Sequence, residues 1–204
     1  MNTPTVALAR DTLVRHLRTA VLMTLVLTVL LGVVYPLVMT GIAQVLFPSQ
    51  ANGSLLREAS GNVVGSTLLA QAFSQPRYFH PRPSAAGTNG YDATASGGSN
   101  LGPTNQKLID TVQSNADAYR QENNLAPDAQ VPVDAVTSSA SGLDPDISPT
   151  NALLQVPRVA AARGMSEDQV RNLVNQSTEG RTLFVLGEPR VNVLKLNMAL
   201  DAAK

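Results

Sequence analysis

Between Arg18 and Arg57 the chain carries no charged residue. Residues 19–47 inside that gap are almost wholly apolar. A run of about 18 such residues is long enough to cross a bilayer as a helix. At 1.5 Å per residue, residues 19–47 extend about 43 Å, against about 30 Å of hydrocarbon. Such a helix must tilt, kink or protrude. Pro36 is the expected kink, because it removes one backbone donor and crowds the preceding turn. The carbonyl it frees needs a partner in lipid, which favours contact with a neighbouring helix. Gly32 and Gly41 would allow close approach there.

The flanks give the span a direction. Arg10, Arg15 and Arg18 precede it, opposed by Asp11, whereas only Arg57 follows closely. The positive-inside rule then places a basic tail, residues 1–18, in the cytoplasm and everything after the span outside. A cleaved secretory signal is the competing interpretation, with Ser49-Gln50-Ala51 as a small-residue cleavage site. The apolar region exceeds the ~7–15 residues of a signal core, which favours an uncleaved anchor.

Residues 48–204 are enough for one domain. They hold 12 of the 15 Lys and Arg and 14 of the 15 Asp and Glu, so no basic surface is offered to nucleic acid. The absence of cysteine excludes disulfides and thiol chemistry. Asn52-Gly53-Ser54 marks a turn, and two short pieces follow at 54–56 and 62–69, the second a strand or a buried segment through Val63, Val64, Leu68 and Leu69. His80-Pro81-Arg82-Pro83 cannot be helical. Residues 88–105 are rich in Gly, Ser, Asn and Thr, and a loop of this length inside a domain is uncommon unless functional or disordered.

Asn105 is placed to cap a helix over 106–122, with Leu108, Ile109, Val112, Ala116 and Tyr119 on one face. A β-prone run covers 131–137. Ser148-Pro149 reads as N-cap and first helical residue, with Pro157 as a bend and Gly164 as the stop. Ser166-Glu167-Asp168-Gln169 fits a capping box. Residues 182–186 read as a strand. A last strand is expected through Val191 and Val193, with 195–196 as a further part of it, before a short tail helix. The expected architecture is therefore a single N-terminal transmembrane α-helix followed by one extracytoplasmic α+β domain.

The chemical motifs are weak. Gly97 to Thr104 approaches a phosphate-binding loop, but Pro103 stands where the lysine must be. Asp144, Asp146 and Ser148 match the first positions of a calcium loop, yet Pro149 replaces its glycine and Gln155 its terminal glutamate. Asp-Pro-Asp and Ser-Pro explain themselves as turn and cap. His80 is the one histidine after the span and lacks a nucleophile-elbow pattern, so it is read as a loop anchor. Thr178-Glu179-Gly180-Arg181 reads as a tight connection. No self-sufficient catalytic set emerges.

Several stretches nevertheless occur together in order: Tyr35-Pro36 with Thr40-Gly41, Gln50-Ala51-Asn52-Gly53-Ser54, Gly65-Ser66 and Tyr78-Phe79-His80-Pro81-Arg82-Pro83-Ser84. Tyr91-Asp92-Ala93 follows, and then Ser96-Gly97-Gly98-Ser99-Asn100-Leu101-Gly102-Pro103-Thr104-Asn105. Ser139-Ala140-Ser141-Gly142-Leu143-Asp144-Pro145, Arg158-Val159-Ala160-Ala161-Ala162-Arg163 and Gly187-Glu188-Pro189-Arg190-Val191-Asn192-Val193-Leu194 complete the series. In this combination the chain resembles the KdpC family, the C subunits of bacterial Kdp potassium-transporting P-type ATPases.

The resemblance implies a non-catalytic accessory subunit of a high-affinity, ATP-driven potassium uptake complex in the inner membrane. Its implied partners are a channel-like potassium-binding subunit, an ATP-hydrolysing P-type subunit and a small single-span subunit. Potassium would be the ion the complex transports, and ATP would reach this chain only through the complex. The family is described as a catalytic chaperone that raises the pump subunit's ATP affinity, and the glutamine proposed to touch nucleotide maps to Gln155. The topology conflicts with that role, since ATP is cytoplasmic and Gln155 lies beyond a span that puts it outside. The alternative is a periplasmic cap or gate at the potassium entrance with no nucleotide contact. On either account the expected partner contacts are Pro36 and Gly41 in the span and Gly97, Gly98 and Asn100 in the polar loop.

Overall fold

The computed structural model describes the backbone of residues 5–58 and 60–203, and side chains from residue 12 onward. Arg10 and Asp11 of the basic tail therefore have side chains outside the described residues, as do residues 1–4 altogether. The chain divides into two compact units after Ser54.

The first unit is a long helix. An α-helix, α1, spans Thr5–Val29, a π-helical turn covers Leu30–Val34, and α2 continues over Tyr35–Leu46. Among the described residues, Thr12–Leu46 is the one helix long and apolar enough to cross a membrane, and its residues are not buried in the protein. The π turn has a local cause. Pro36 cannot donate to the carbonyl four residues back, at Gly32, and its ring would crowd that carbonyl. The ladder widens one turn earlier, so that the Tyr35 N–H donates to the Leu30 carbonyl, five residues back. The helix ends at Phe47, whose φ of −137° leaves the helical region. A single turn, α3 (Pro48–Ala51), follows, and the Gln44 and Asn52 side-chain amides bond each other at 3.1 and 3.3 Å across this end.

The second unit mixes helices with very short strands. β1 (Leu55–Arg57) and β2 (Val63–Ser66) form an antiparallel hairpin. After a long irregular segment come α4 (Gln106–Glu122), α5 (Val133–Val136), β3 (Asp146–Ile147), α6 (Pro149–Arg163) and α7 (Glu167–Ser177). β4 (Thr178–Glu179), β5 (Arg190–Asn192) and α8 (Val193–Ala202) complete it. The second sheet has the order β3-β5-β4, antiparallel throughout.

Local chemistry sets most helix ends. The side chains of Asn105, Ser148 and Asn192 cap α4, α6 and α8. Ser166 and Gln169 complete the expected capping box at α7. Gly164 ends α6 in the left-handed region, at φ 65°. The main core joins Val156 and Val159 of α6, Val170 and Val174 of α7, Leu196 and Leu200 of α8, Val191 of β5, and Phe79. A smaller cluster joins Ala116 and Tyr119 of α4 to Ala135 and Val136 of α5.

Four expectations need correction. Residues 131–137 are not extended: α5 forms there because Asp134 is held by bonds from the Ser148 N–H (2.7 Å), the Ser148 hydroxyl (3.0 Å) and Asn151 Nδ2 (3.0 Å), a distant constraint that overrides β propensity. Residues 182–186 are an exposed turn closed by one Thr182–Leu186 bridge, not a strand. The last strand stops at Asn192, whose side chain accepts from the Lys195 N–H at 3.1 Å and starts α8, so 195–196 are helical. Ile109 faces solvent despite its place on the apolar face of α4.

Candidate functional site

The polar residues 84–105 form a platform sewn to residues 138–144. Ser84 is its hub. Its hydroxyl donates to the Gly142 carbonyl at 2.6 Å and accepts from the backbone N–H groups of Tyr91 (2.7 Å) and Ala86 (3.2 Å). The Tyr91 hydroxyl returns to the Arg82 carbonyl at 2.7 Å, and burial pushes its pKa up to about 12. Tyr91 itself sits at φ 57°, a left-handed conformation costly for an aromatic residue and held here by bonds at both its ends.

Farther along, the Gly97 N–H donates to the Ser141 carbonyl at 2.9 Å, and the Ser96 hydroxyl reaches the same oxygen at 3.0 Å. Gly98 is needed for closeness, since a Cβ there would stand 3.0 Å from the Ala140 carbonyl. Gly142 is more constrained still: at φ 66°, a Cβ would meet the Ala86 nitrogen and the Gly97 oxygen at 2.7 Å each. Arg82 and Asp144 lock the edge with a 2.9 Å ion pair. Asp92 caps its own turn through Thr94, whose hydroxyl and N–H hold the carboxyl below its usual range. Beside the platform lies a cleft of about 400 Å³, lined by Ser84, Ser99, Leu101, Lys107, Leu108 and Val136 among others.

Asn100 is exposed in this segment at φ 52°, whereas Gly97 and Gly98 are half-buried against residues 139–141. Pro36 and Gly41 belong to the helical unit, where both face outward and a Cβ on Gly41 would meet nothing within 4 Å.

Gln155 is elsewhere in the domain, on α6, and only 1 % exposed. Its Oε1 accepts from the His80 N–H (2.8 Å) and from Arg158 Nη2 (2.6 Å); its Nε2 donates to the His80 carbonyl (3.1 Å) and to Asn151 Oδ1 (2.9 Å). The amide's two acceptor and two donor positions are thus all taken by protein groups. The adjoining cavity, shared with His80, Tyr119 and Glu122, holds about 220 Å³. That is below the ~300–1,000 Å³ of small-molecule sites.

His80 is a brace, as its motif suggested. Nδ1 lies 2.8 Å from Glu122 Oε1, and Nε2 lies 3.1 Å from the Gln75 carbonyl. The hydrogen bond from His80 holds the Glu122 carboxyl below its usual range, against the opposing effect of burial. Arg158, also buried, donates to the carbonyls of Pro76 (2.7 Å) and Tyr78 (2.9 Å) and to Asn123 Oδ1 (3.0 Å), and desolvation lowers its pKa.

The residues that resembled a calcium loop have other partners. Asp144 pairs with Arg82, Asp146 pairs with Arg190 at 3.1 Å, and Ser148 caps α6. Burial raises the Asp146 carboxyl, and the bond from Asn192 only partly offsets it. Among the described residues, no cluster of three or more His, Cys, Asp or Glu is placed to hold a metal ion. Ser84, Tyr91 and Gly142 went unremarked as site residues in the sequence. Gly142 lay inside a Ser-Gly turn signal, but its contact with Ala86 and Gly97 has no local signature.

Known proteins match this chain in sequence. The family model described as KdpC, K+-transporting ATPase, c chain, matches residues 17–202. The potassium-transporting ATPase KdpC subunit of Koribacter versatilis (strain Ellin345) is 57% identical over 190 residues, covering 93% of this chain and 96% of that one. The protein of the same name from Caulobacter sp. (strain K31) is 57% identical over 187 residues, covering 92% and 93%. That from Mycobacterium tuberculosis (strain CDC 1551 / Oshkosh) is 58% identical over 187 residues, covering 92% and 98%.

Proposed function

The chain belongs to the KdpC family of K+-transporting ATPase subunits, and from that premise we propose that it is a membrane-anchored accessory subunit that works by docking, not by chemistry of its own. The apolar helix crosses the bacterial inner membrane with its N-terminus in the cytoplasm, an orientation supported by the arginines before the span. The domain then stands in the periplasm. There the platform carrying Gly97, Gly98 and Asn100 meets the channel-like potassium-binding subunit, caps the potassium entrance and steadies assembly with the ATP-hydrolysing and small single-span subunits. Pro36 and Gly41 carry the helix contact within the membrane.

One observation favours this cap over direct nucleotide contact. Every polar position of the Gln155 amide is already bonded inside the domain. A nucleotide could engage it only by displacing one of its bonds to His80, Asn151 or Arg158. Gln155 therefore serves the fold, and any effect of this subunit on ATP affinity passes through the assembled complex.

The experiment is to replace Asn100 by Glu and Ser99 by Asp together in the whole complex. Both side chains are exposed, so the loss of thermal stability should stay within the ~1–2 kcal/mol that Glu costs in the left-handed conformation Asn100 holds at φ 52°. The expected result is weaker apparent potassium affinity or loss of this subunit on purification, with the ATP dependence at saturating potassium unchanged. Unchanged potassium affinity and assembly would sink the cap. A shift confined to ATP affinity would restore the chaperone reading.

A further inference from the structure

The turn after Arg181 displays four consecutive apolar side chains to solvent. Leu183 is 75%, Phe184 94%, Val185 72% and Leu186 58% exposed. The turn is built, not loose. Thr182 and Leu186 exchange both backbone hydrogen bonds at 2.9 Å, and the Phe184 N–H donates to the Arg181 carbonyl at 3.2 Å. At its base Arg181 Nη2 reaches both Glu188 carboxylate oxygens, at 2.8 and 2.7 Å. Leu183 and Phe184 lie at φ 52° and 66°. Two successive bulky residues in the left-handed region are costly, and they persist only where the surroundings impose them. The Phe184 ring faces outward, where burial inside this chain gains nothing from it.

We propose that this knob is an anchor that inserts into an uncharged apolar pocket on another protein subunit of the transport complex. The inference rests on membership in that complex, but not on the platform at 84–105. Charge argues for a protein pocket over a lipid surface. Residues 182–187 carry no charge, and Arg181 is neutralised by Glu188, so no basic surplus is left for anionic headgroups. The tip also lacks the Trp and Tyr that favour a membrane interface. Size argues for an anchor within a larger assembly. Four side chains fall well short of the ~800 Å² per partner of a self-sufficient interface. A chain already held at the complex by its helix needs less, because tethering raises the effective concentration. A protruding aromatic with an ion-paired rim and a preset backbone fits the pattern of an interfacial hot spot.

The test uses the whole complex with Phe184→Ser. Retention of this chain after capture through another subunit should fall about tenfold or more, while Phe184→Leu should stay within about twofold of wild type. The melting of the full chain alone should not change, because the ring is exposed. The chain contains no tryptophan, so Phe184→Trp provides a lone fluorophore. In vesicles of brominated lipid containing this chain alone, its emission should be neither quenched nor blue-shifted. Quenching would assign the knob to the bilayer, and a blue shift that grows with chain density would assign it to a second copy; either overturns the proposal, as does full retention of Phe184→Ser. If Phe184→Ser is retained while the Ser99 and Asn100 substitutions weaken potassium affinity, only the knob is wrong.

Discussion

Gln155 holds His80 as a neighbouring strand would, accepting from its N–H at 2.8 Å and donating to its carbonyl at 3.1 Å. Asn197, on α8, does the same for the preceding residue: it accepts from the Phe79 N–H at 2.8 Å and donates to its carbonyl at 3.0 Å. Two buried amides on two helices thereby satisfy consecutive backbone groups of a segment that belongs to no sheet. The arrangement lets an extended, proline-rich segment run through the core with the backbone groups of Phe79 and His80 paired.

Truncating either amide should therefore cost more than its apolar contacts suggest. Gln155→Ala leaves the His80 N–H and carbonyl, Asn151 and Arg158 each short of one partner. A loss of about 3 kcal/mol is expected, the scale for orphaning several buried groups at once. Gln155→Leu should be no better, since filling the volume does not restore the bonds. Gln155→Glu should fall between, because a carboxylate can still accept from His80 and Arg158. Urea unfolding of the full chain in detergent, followed by circular dichroism, measures all three; a Gln155→Leu variant as stable as wild type would show that the amide's bonds contribute little.

Gly142→Ala should loosen the platform. The residue needs a left-handed φ, and the added carbon would meet Ala86 and Gly97 at 2.7 Å. The expected destabilisation is about 2 kcal/mol, with the 84–105 loop becoming the preferred site of limited proteolysis. Gly102→Ala, where a Cβ would meet nothing within 4 Å, is the control and should leave the digestion pattern as it is.

The bond between His80 and Glu122 should appear in the acid limb of stability. The Glu122 carboxyl is held below its ordinary 4.5, so its contribution is complete above that value and is lost as pH falls through the lower folded value. Glu122→Gln removes the contribution at neutral pH and has nothing further to lose in acid. The stability gap between wild type and variant should thus be widest above about pH 5 and should close on acidification. Unfolding midpoints taken across this range decide it, and a gap that stays constant would mean that the carboxylate does not supply it.

What could be read from residues alone follows from how far each determinant reaches. The ends of α4, α6 and α7 were legible because Asn105, Ser148 and Ser166 bond backbone within three residues. Asn192 offered the same kind of signal for α8, masked by the β-branched Val191 and Val193 on either side. α5 was not legible, since its Asp134 answers to Ser148 and Asn151. Residues 182–186 read as a strand because their composition suits one, but among the described residues no neighbouring strand lies along them, and a single bridge closes the turn. The platform was visible as composition, through Gly97, Gly98 and Asn100. Its assembly was not, because Ser84 and Gly142 meet across 58 residues of chain.

The π turn at Leu30–Val34 has a consequence for recognition along the helix. One extra residue in a turn sets back the azimuth of everything after it by about 100° relative to an unbroken α-helix. Side chains spaced by 3 or 4 across the turn no longer stack into one seam. The stretch ahead of Leu30 and the stretch that includes Gly41 consequently point their aligned faces in different directions. A straight partner helix can follow one of these faces but not both.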